Sequence, residues 1–257
     1  RSTLFPYTTL FRSPAGGKPV EAEKFKITKT GSEKPAVISF FKNEECTEKL
    51  DAQPVDAGTY WAKAIVEEDG NYFGAESNSL KFTIGKKDLT VKAGDKTVIY
   101  GEEPENIGVV YNGFVNGENG EHLQGSLAFE YNYKKGDKVG NYDIVPKGLE
   151  SKNYNIIYKK GILTVGKRPL KIKAADNQIV YGQKPYDKGV ELNGLAEGDG
   201  LTDLEGNLTY EYTYSQYEDP GTDYKIIPKG LTSENYSIDF EEGNLSVEPA
   251  GDRKSVV

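Results

Sequence analysis

The chain has 257 residues, with 32 lysines and arginines against 40 aspartates and glutamates, for a formal net charge of −8. Acidic chains with dispersed basic residues make poor partners for nucleic acid or an anionic membrane, both of which need clustered Lys and Arg. One cysteine and one histidine exclude an internal disulfide and a histidine-rich metal centre, so any folded unit here must hold together by packing alone.

In chain order, residues 1–13 (RSTLFPYTTLFRS) resemble the translation of a short-read sequencing adaptor. The tail 250–257 is set aside with them, because Asp252 to Val257 (DRKSVV) reads as the reverse complement of the same adaptor. Both segments are expected to be artefacts outside the fold, despite the tempting apolar Leu4, Phe5, Leu10 and Phe11. Without Arg1, Arg12, Arg253, Lys254 and Asp252 the balance is 28 basic against 39 acidic side chains, about −11. The rest is expected to be an internal fragment of a longer chain.

Residues 14–85 carry Asp56-Ala-Gly-Thr-Tyr, then Asn71-Tyr72, and close on Leu80, Phe82 and Ile84. The front half of this segment, about 20–50, has no counterpart further along, so residues 14–85 are expected to be a related but divergent Ig-like module, truncated at its start.

Residues 86–167 and 168–249 repeat one text. Val98-Ile-Tyr100-Gly101 falls on Ile179-Val-Tyr181-Gly182 at a spacing of 81, and the spacing holds through Leu127, Phe129, Tyr131, Tyr133 against Leu208, Tyr210, Tyr212, Tyr214. After Gly140 and Gly221 it becomes 82, aligning Pro146-Lys-Gly-Leu with Pro228-Lys-Gly-Leu and Asn153-Tyr154 with Asn235-Tyr236. A period this long is a domain rather than a solenoid rung. Alternating apolar residues (Leu89, Val91, Ala93; Leu170, Ile172, Ala174) predict strands, and Gly- and Asp-rich clusters at 116–120, 135–137, 197–200 and 219–221 predict turns. Only 198–204 could form a helical turn, with Asp199 as its cap. Pro146 and Pro228 cannot donate to a ladder and are expected at an edge or bulge. The predicted class is all-β: tandem small Ig-like β-sandwich modules in series, with β-grasp-like units under one short helix as the alternative. The short joints Gly85-Lys86-Lys87 and Gly166-Lys167-Arg168 predict limited bending.

Tyr100-Gly, Asn112-Gly-Phe, Pro146-Lys-Gly-Leu, Asn153-Tyr and Gly161-Ile-Leu-Thr-Val together resemble the bacterial MBG domain of the Tyr-Gly-X type, carried twice between residues 86 and 249. The first module is similar to Ig-like repeats that precede such domains. The resemblance implies an extracellular, β-rich stalk or adhesin role and brings no catalytic residues.

The residues themselves offer little chemistry. His122 sits in a Gly- and Asn-rich loop, and Cys46 lies among Glu44, Glu45 and Glu48, which disfavour a thiolate. Glu130 with Glu211, and Asp95 with Asp176, recur with the scaffold and read as fold requirements rather than as a glycosidase pair. Two oxygen-rich turns, 67–71 and 197–203, could offer hard ligands to calcium but lack EF-hand spacing. Trp61, beside Tyr60 and at strand spacing from Lys63, reads as a core or edge aromatic rather than a sugar platform. A Lys to Asn isopeptide crosslink would need a buried trio. No catalytic residue, cofactor or metal is assigned, and any ligand is unknown. The expected role is a non-enzymatic stalk segment of an extracellular or cell wall-associated bacterial protein. Its expected partners are neighbouring modules of the same chain, with a host or matrix glycan or protein as a further candidate, and no nucleic acid or membrane contact. A glycan- or protein-binding array, or an accessory region of a secreted polysaccharide-degrading enzyme, is the alternative.

Overall fold

A computed structural model describes residues 3–6, 12–14, 27–115 and 117–251. Most of segment 1–13, the front of the first module (15–26), Asn116 of the predicted turn at 116–120, and the tail from Asp252 lie outside the described residues. The chain divides into two compact units: Arg1–Gly94 with Gly108–Glu130 and Val145–Lys160, and Asp95–Ile107 with Tyr131–Ile144 and Gly161–Val257. The dividing line passes through the second module, so each unit contains one of the two joints.

The first unit opens with β1 (Thr3–Pro6), β2 (Arg12–Pro14), β3 (Ile27–Thr30), β4 (Val37–Phe41), β5 (Gly58–Val66), β6 (Ala75–Glu76) and β7 (Leu80–Gly85). One sheet has the order β2-β7-β5-β4, with β6 also on β5, and β1 pairs with β3. Two short pieces of the segment set aside in the sequence are therefore strands here: β1 runs antiparallel to β3, and β2 runs parallel to β7. An unpaired sheet edge offers a row of backbone donors and acceptors to any extended segment, whatever its side chains. Alternation along β5 and β7 turns Ala62, Phe82 and Ile84 inward against Phe40, with the Phe40 and Phe82 rings edge-on at 5.9 Å.

After the single residue Lys86, β8 (Lys87–Ala93) begins the second module, followed by β9 (Lys96–Ile99), β10 (Val109–Asn112), β11 (Gln124–Tyr131), β12 (Gly140–Glu150), β13 (Tyr154–Lys159) and β14 (Gly161–Gly166). Within the first unit, β8 lies between antiparallel β10 and parallel β13. Leu89, Val91 and Tyr154 are buried there beneath Tyr111, Phe114 and Ile156. Within the second unit, Gly140 to Ile144 of β12 pair with β14, which pairs in parallel with β9.

The third module lies wholly in the second unit: β15 (Arg168–Ala174), β16 (Asn177–Val180), β17 (Val190–Asn193), β18 (Glu205–Tyr212), β19 (Gly221–Thr232), β20 (Tyr236–Glu241) and β21 (Gly243–Glu248). Its two sheets, β17-β15-β20 and β16-β21-β19-β18, repeat the strand orders of the second module. Ala174 from one sheet packs with Ile179, Ile226, Leu245 and Val247 of the other, which makes the module a β-sandwich.

The chain is all-β. Helical structure among the described residues is limited to the 3₁₀ turns Gly120–His122 and Leu201–Asp203, too short to form the helix of a grasp-like unit. The turn predicted within 198–204 is present, but its cap differs: Gly200 precedes it, and the Gly200 N–H donates to the Asp203 carboxylate at 2.7 Å. Pro228 sits in the interior strand β19, yet beyond Ile226, where the pairing with β21 ends, and beside a bulge against β18. The missing donor costs nothing there. The bulge depends on two glycines: a Cβ on Gly206 (φ +90°) would lie 2.2 Å from the Gly230 carbonyl oxygen, and one on Gly230 (φ +92°) would lie 2.3 Å from the Asn207 oxygen.

Candidate functional site

The polar groups that recur most consistently lie at the two joints. In both repeats the joint is built on Ser-x-Asn-Tyr. Ser151 Oγ accepts the N–H groups of Asn153 and Tyr154, each at 3.1 Å, and Ser233 Oγ accepts those of Asn235 and Tyr236 at 3.0 and 3.1 Å. This local turn removes the backbone from extended geometry and fixes the asparagine's direction.

The asparagine then makes two attachments. Its carbonyl oxygen accepts from the first residue of the strand that follows the linker, Lys87 N–H to Asn153 and Arg168 N–H to Asn235, both at 3.0 Å. Its side chain reaches the preceding module: Ala57 N–H donates to Asn153 Oδ1 at 2.9 Å, and Val139 N–H donates to Asn235 Oδ1 at 3.2 Å. The residue ahead of each receiving N–H is charged, but with opposite sign. At the first joint Asp56 accepts from Asn153 Nδ2 at 2.9 Å and pairs with Lys152 at 3.2 Å. At the second, Lys138 pairs with Glu234 at 2.7 Å. The single linker residue is a lysine in both cases, donating to the Ser151 carbonyl from Lys86 at 2.7 Å and to the Ser233 carbonyl from Lys167 at 2.9 Å.

The tyrosine after the asparagine organises its own module. Tyr154 OH donates to Glu118 and Tyr236 OH to Asp199, both at 2.5 Å, while the hydroxyl oxygens accept from Val115 and Ala196 N–H. Burial, then the neighbouring carboxylate, raises both phenols, Tyr236 up to about 12. The Asp56 carboxyl lies below its ordinary value, first through the Asn153 hydrogen bond and then through Lys152.

The second joint also buries the Tyr-Gly signature. Tyr100 is 7% exposed, its ring edge-on to Tyr236 at 5.3 Å, and Arg168 Nη1 donates to its carbonyl at 3.4 Å. Gly101 (φ +82°) lies so near Ala196 that a Cβ would fall 2.7 Å from the alanine's own. Lys135 reaches Glu197 at 2.8 Å. In the third module the same signature is covered only in part, with Tyr181 39% exposed.

The other candidates take structural places. His122 Nδ1 accepts the Asn119 N–H at 3.2 Å, and its repeat partner Asp203 does the same work for Gly200, so a carboxylate substitutes for the imidazole. The Cys46 thiol is raised chiefly by burial, then by Glu76 and Glu45, which revises the expected trio of Glu44, Glu45 and Glu48. Glu130 bonds Lys147 and Glu211 bonds Lys229 across strands, while Asp95 and Asp176 accept the N–H of Ile162 and Asn244 at 2.8 and 2.7 Å.

Both candidate calcium turns are committed elsewhere. Glu197, Asp199 and Asp203 face three different partners. Asp69 Oδ1 accepts from Asn71 and Tyr72 N–H at 2.9 Å, the first module's version of the serine turn, and its Oδ2 accepts from Ser32 OH. No group of three or more potential metal ligands gathers among the described residues. Trp61 is half-buried on β5 with the Lys81 ammonium 5.6 Å from its ring centroid. The buried polar side chains among the described residues are Ser32, Ser39, Ser77 and Asn177, so no buried lysine is available for an isopeptide. No helix among the described residues is long and apolar enough to cross a membrane. The Asn153 and Asn235 roles were missed in the sequence because both residues read as fold signature. The visible signal was the recurrence of a serine two positions ahead, opposite a recurring Gly-containing turn in the preceding module.

These features define a tandem array of structural β modules joined through a repeated polar contact. The chain belongs to the MBG domain (YGX type) family, which it matches twice, over residues 89–164 and 170–246. No curated protein matches it. Among solved structures, the Clostridium thermocellum CbhA fibronectin(III)-like modules share 16% identity at a TM-score of 0.25, covering 64% of this chain and 94% of that one. Sidekick-1 immunoglobulin domains 1–5 share 10% at 0.27, covering 97% and 57%. The Bacteroides ovatus mixed-linkage glucan utilization locus protein SGBP-B, in complex with a mixed-linkage heptasaccharide, shares 13% at 0.21, covering 96% and 70%. At such TM-scores these likenesses carry no residue correspondence.

Proposed function

We propose that this chain is a non-enzymatic spacer segment of a bacterial cell-surface or secreted adhesin-like protein, holding a binding domain at a set distance. One observation carries the reading: at both joints an asparagine 96 residues downstream accepts the N–H of the residue before the glycine of the receiving turn. Because that asparagine is also fixed within its own module by the serine turn and by its carbonyl bond to the first strand, and the linker lysine bonds the same turn, bending the joint would break hydrogen bonds already made. Each such hydrogen bond contributes about 1 kcal/mol net, and several acting together stiffen a one-residue linker far beyond a free peptide.

On this reading the chain lies outside the cell or on its wall, its partners are its own neighbouring modules, and it contacts neither nucleic acid nor membrane. A glycan array probed with the full chain tests it. A spacer gives no reproducible binding. Binding that disappears in Trp61→Ala would replace it with recognition by the modules themselves.

A further inference from the structure

The face with which the second module receives the third has a counterpart on the third module, and its key positions are altered. The alignment is secure because the same tyrosine marks it in every module. Tyr60, Tyr142 and Tyr224 each donate to the carbonyl of the residue two before the turn glycine: Asp56, Lys138 and Asp219, at 3.2, 2.6 and 2.8 Å. The residue whose N–H meets the asparagine is therefore Ala57, then Val139, then Pro220. Proline has no N–H to give.

The aromatic half of the face is altered as well. In the second module Tyr100-Gly101 is covered by Ala196 and Tyr236 of the third. In the third module Tyr217 takes the position of Gly136, and it keeps the glycine's left-handed backbone, φ +77° against +93°. Its ring stands edge-on to Tyr181 at 6.3 Å, and a ring carbon lies 3.5 Å from where a Gly182 Cβ would be. The neighbouring Gln216 donates to the Gly182 carbonyl at 2.6 Å. A non-glycine residue in this region is strained, and it persists where its surroundings fix it. Here the compensation is contact with the Tyr-Gly surface that another module would otherwise cover. The linker changes in step: Gly166-Lys167 is matched by Glu248-Pro249, which removes the lysine that reaches the Ser233 carbonyl.

We propose that this outer face of the third module is a closing face: Tyr217 covers, and Pro220 disarms, the surface through which a further module of this family would be received. Terminal repeats of other modular proteins likewise replace an interface with a self-satisfied surface. The inference rests on the joints being stiff couplings, as in the proposed function, so its test reads both joints in one molecule.

The test uses the chain through Glu248 followed by a second copy of residues 167–248, which supplies the normal linker lysine and the Ser233-Glu-Asn-Tyr loop. Spin-label pairs placed across the second joint and across the new one, with Cys46 replaced by Ser, report distance distributions. The expected result is a narrow distribution at the second joint and one at least twice as broad at the new joint. Tyr217→Gly with Asp219→Lys and Pro220→Val should then narrow the new joint to match. Equal, narrow widths at both joints in the unaltered faces would overturn the closing face while leaving the spacer reading intact. A new joint that stays broad after the three substitutions, with the second joint still narrow as proof of folding, would overturn the assignment to these residues. Breadth at the second joint itself would overturn the spacer reading and this inference with it.

Discussion

The two joints share the asparagine contact, the serine turn and the linker lysine, and differ in the charges and aromatic rings around them. At the first, the receiving turn carries Asp56 against Lys152; at the second, Lys138 against Glu234, and the tyrosine pair Tyr100 and Tyr236 is added. The shared part is directed at a backbone N–H, which any residue but proline supplies in the same place, while the variable part is made of exposed charges whose pairing energy is small and salt-screened. The asparagine contact is thus common to both joints, whereas the sign of the charged pair is particular to each. Placing the third module after the first would set Glu234 against Asp56, and repeating the second would set Lys152 against Lys138, both like-charge contacts.

The contrast can be broken most forcefully at the aromatic contact. Tyr100→Ala should cost about 3 kcal/mol in urea unfolding, the usual scale for deleting a buried aromatic, while Tyr181→Ala at the open face should cost less than about 1 kcal/mol. Equal losses would remove the distinction between a buried and an open signature.

Next comes alkali. Tyr236 titrates near 10 unfolded and about 12 folded, so the folded state holds its proton more tightly. Stability from this group is complete below pH 10 and is lost as pH rises through about 12, on the order of 3 kcal/mol at about 1.4 kcal/mol per unit. Hydrogen exchange at the Ala196 and Val139 amides should lose protection across that window. Asp56 works in the opposite sense: its lowered value means stability present above its ordinary 3.8 and lost as pH falls below it, which makes acid a probe of the first joint.

Asn153→Ala and Asn235→Ala should each cost about 1 to 2 kcal/mol, with exchange protection lost at Ala57 or Val139 respectively. Markedly unequal losses would mean that the shared bond is not the common element.

A smaller difference separates the module interiors. Tyr133 OH donates to the Glu102 carbonyl at 2.8 Å, but its counterpart Tyr214 has a buried hydroxyl with no partner among the described residues. Tyr133→Phe should therefore destabilise by about 1 kcal/mol, and Tyr214→Phe should be neutral or stabilising in thermal unfolding. The smallest effect is electrostatic: Glu234→Lys should lower the melting temperature slightly, at low salt only, and be rescued by Lys138→Glu.

Much of the fold was legible because strand faces write themselves into sequence at period two. Leu89, Val91 and Ala93 alternate and are buried as a set, and so are Leu170, Ile172 and Ala174. The candidate site was only half legible. Asn153 and Asn235 stood out as repeated letters, but their bonds run to residues 96 positions away, and no local pattern predicts which turn lies opposite. The same holds for His122, where a repeat partner, Asp203, revealed the capping role only once both side chains were placed.

By itself, the sequence determined the all-β class and the tandem repeat, since these follow from periodicity and turn residues. Tertiary structure decided which copies of a repeated signature are buried. Tyr100 and Tyr181 are the same word in the text, yet one lies beneath the next module and the other beside its own module's Tyr217. Burial depends on what lies across from a side chain in space, and a local pattern carries no record of that until the chain has folded.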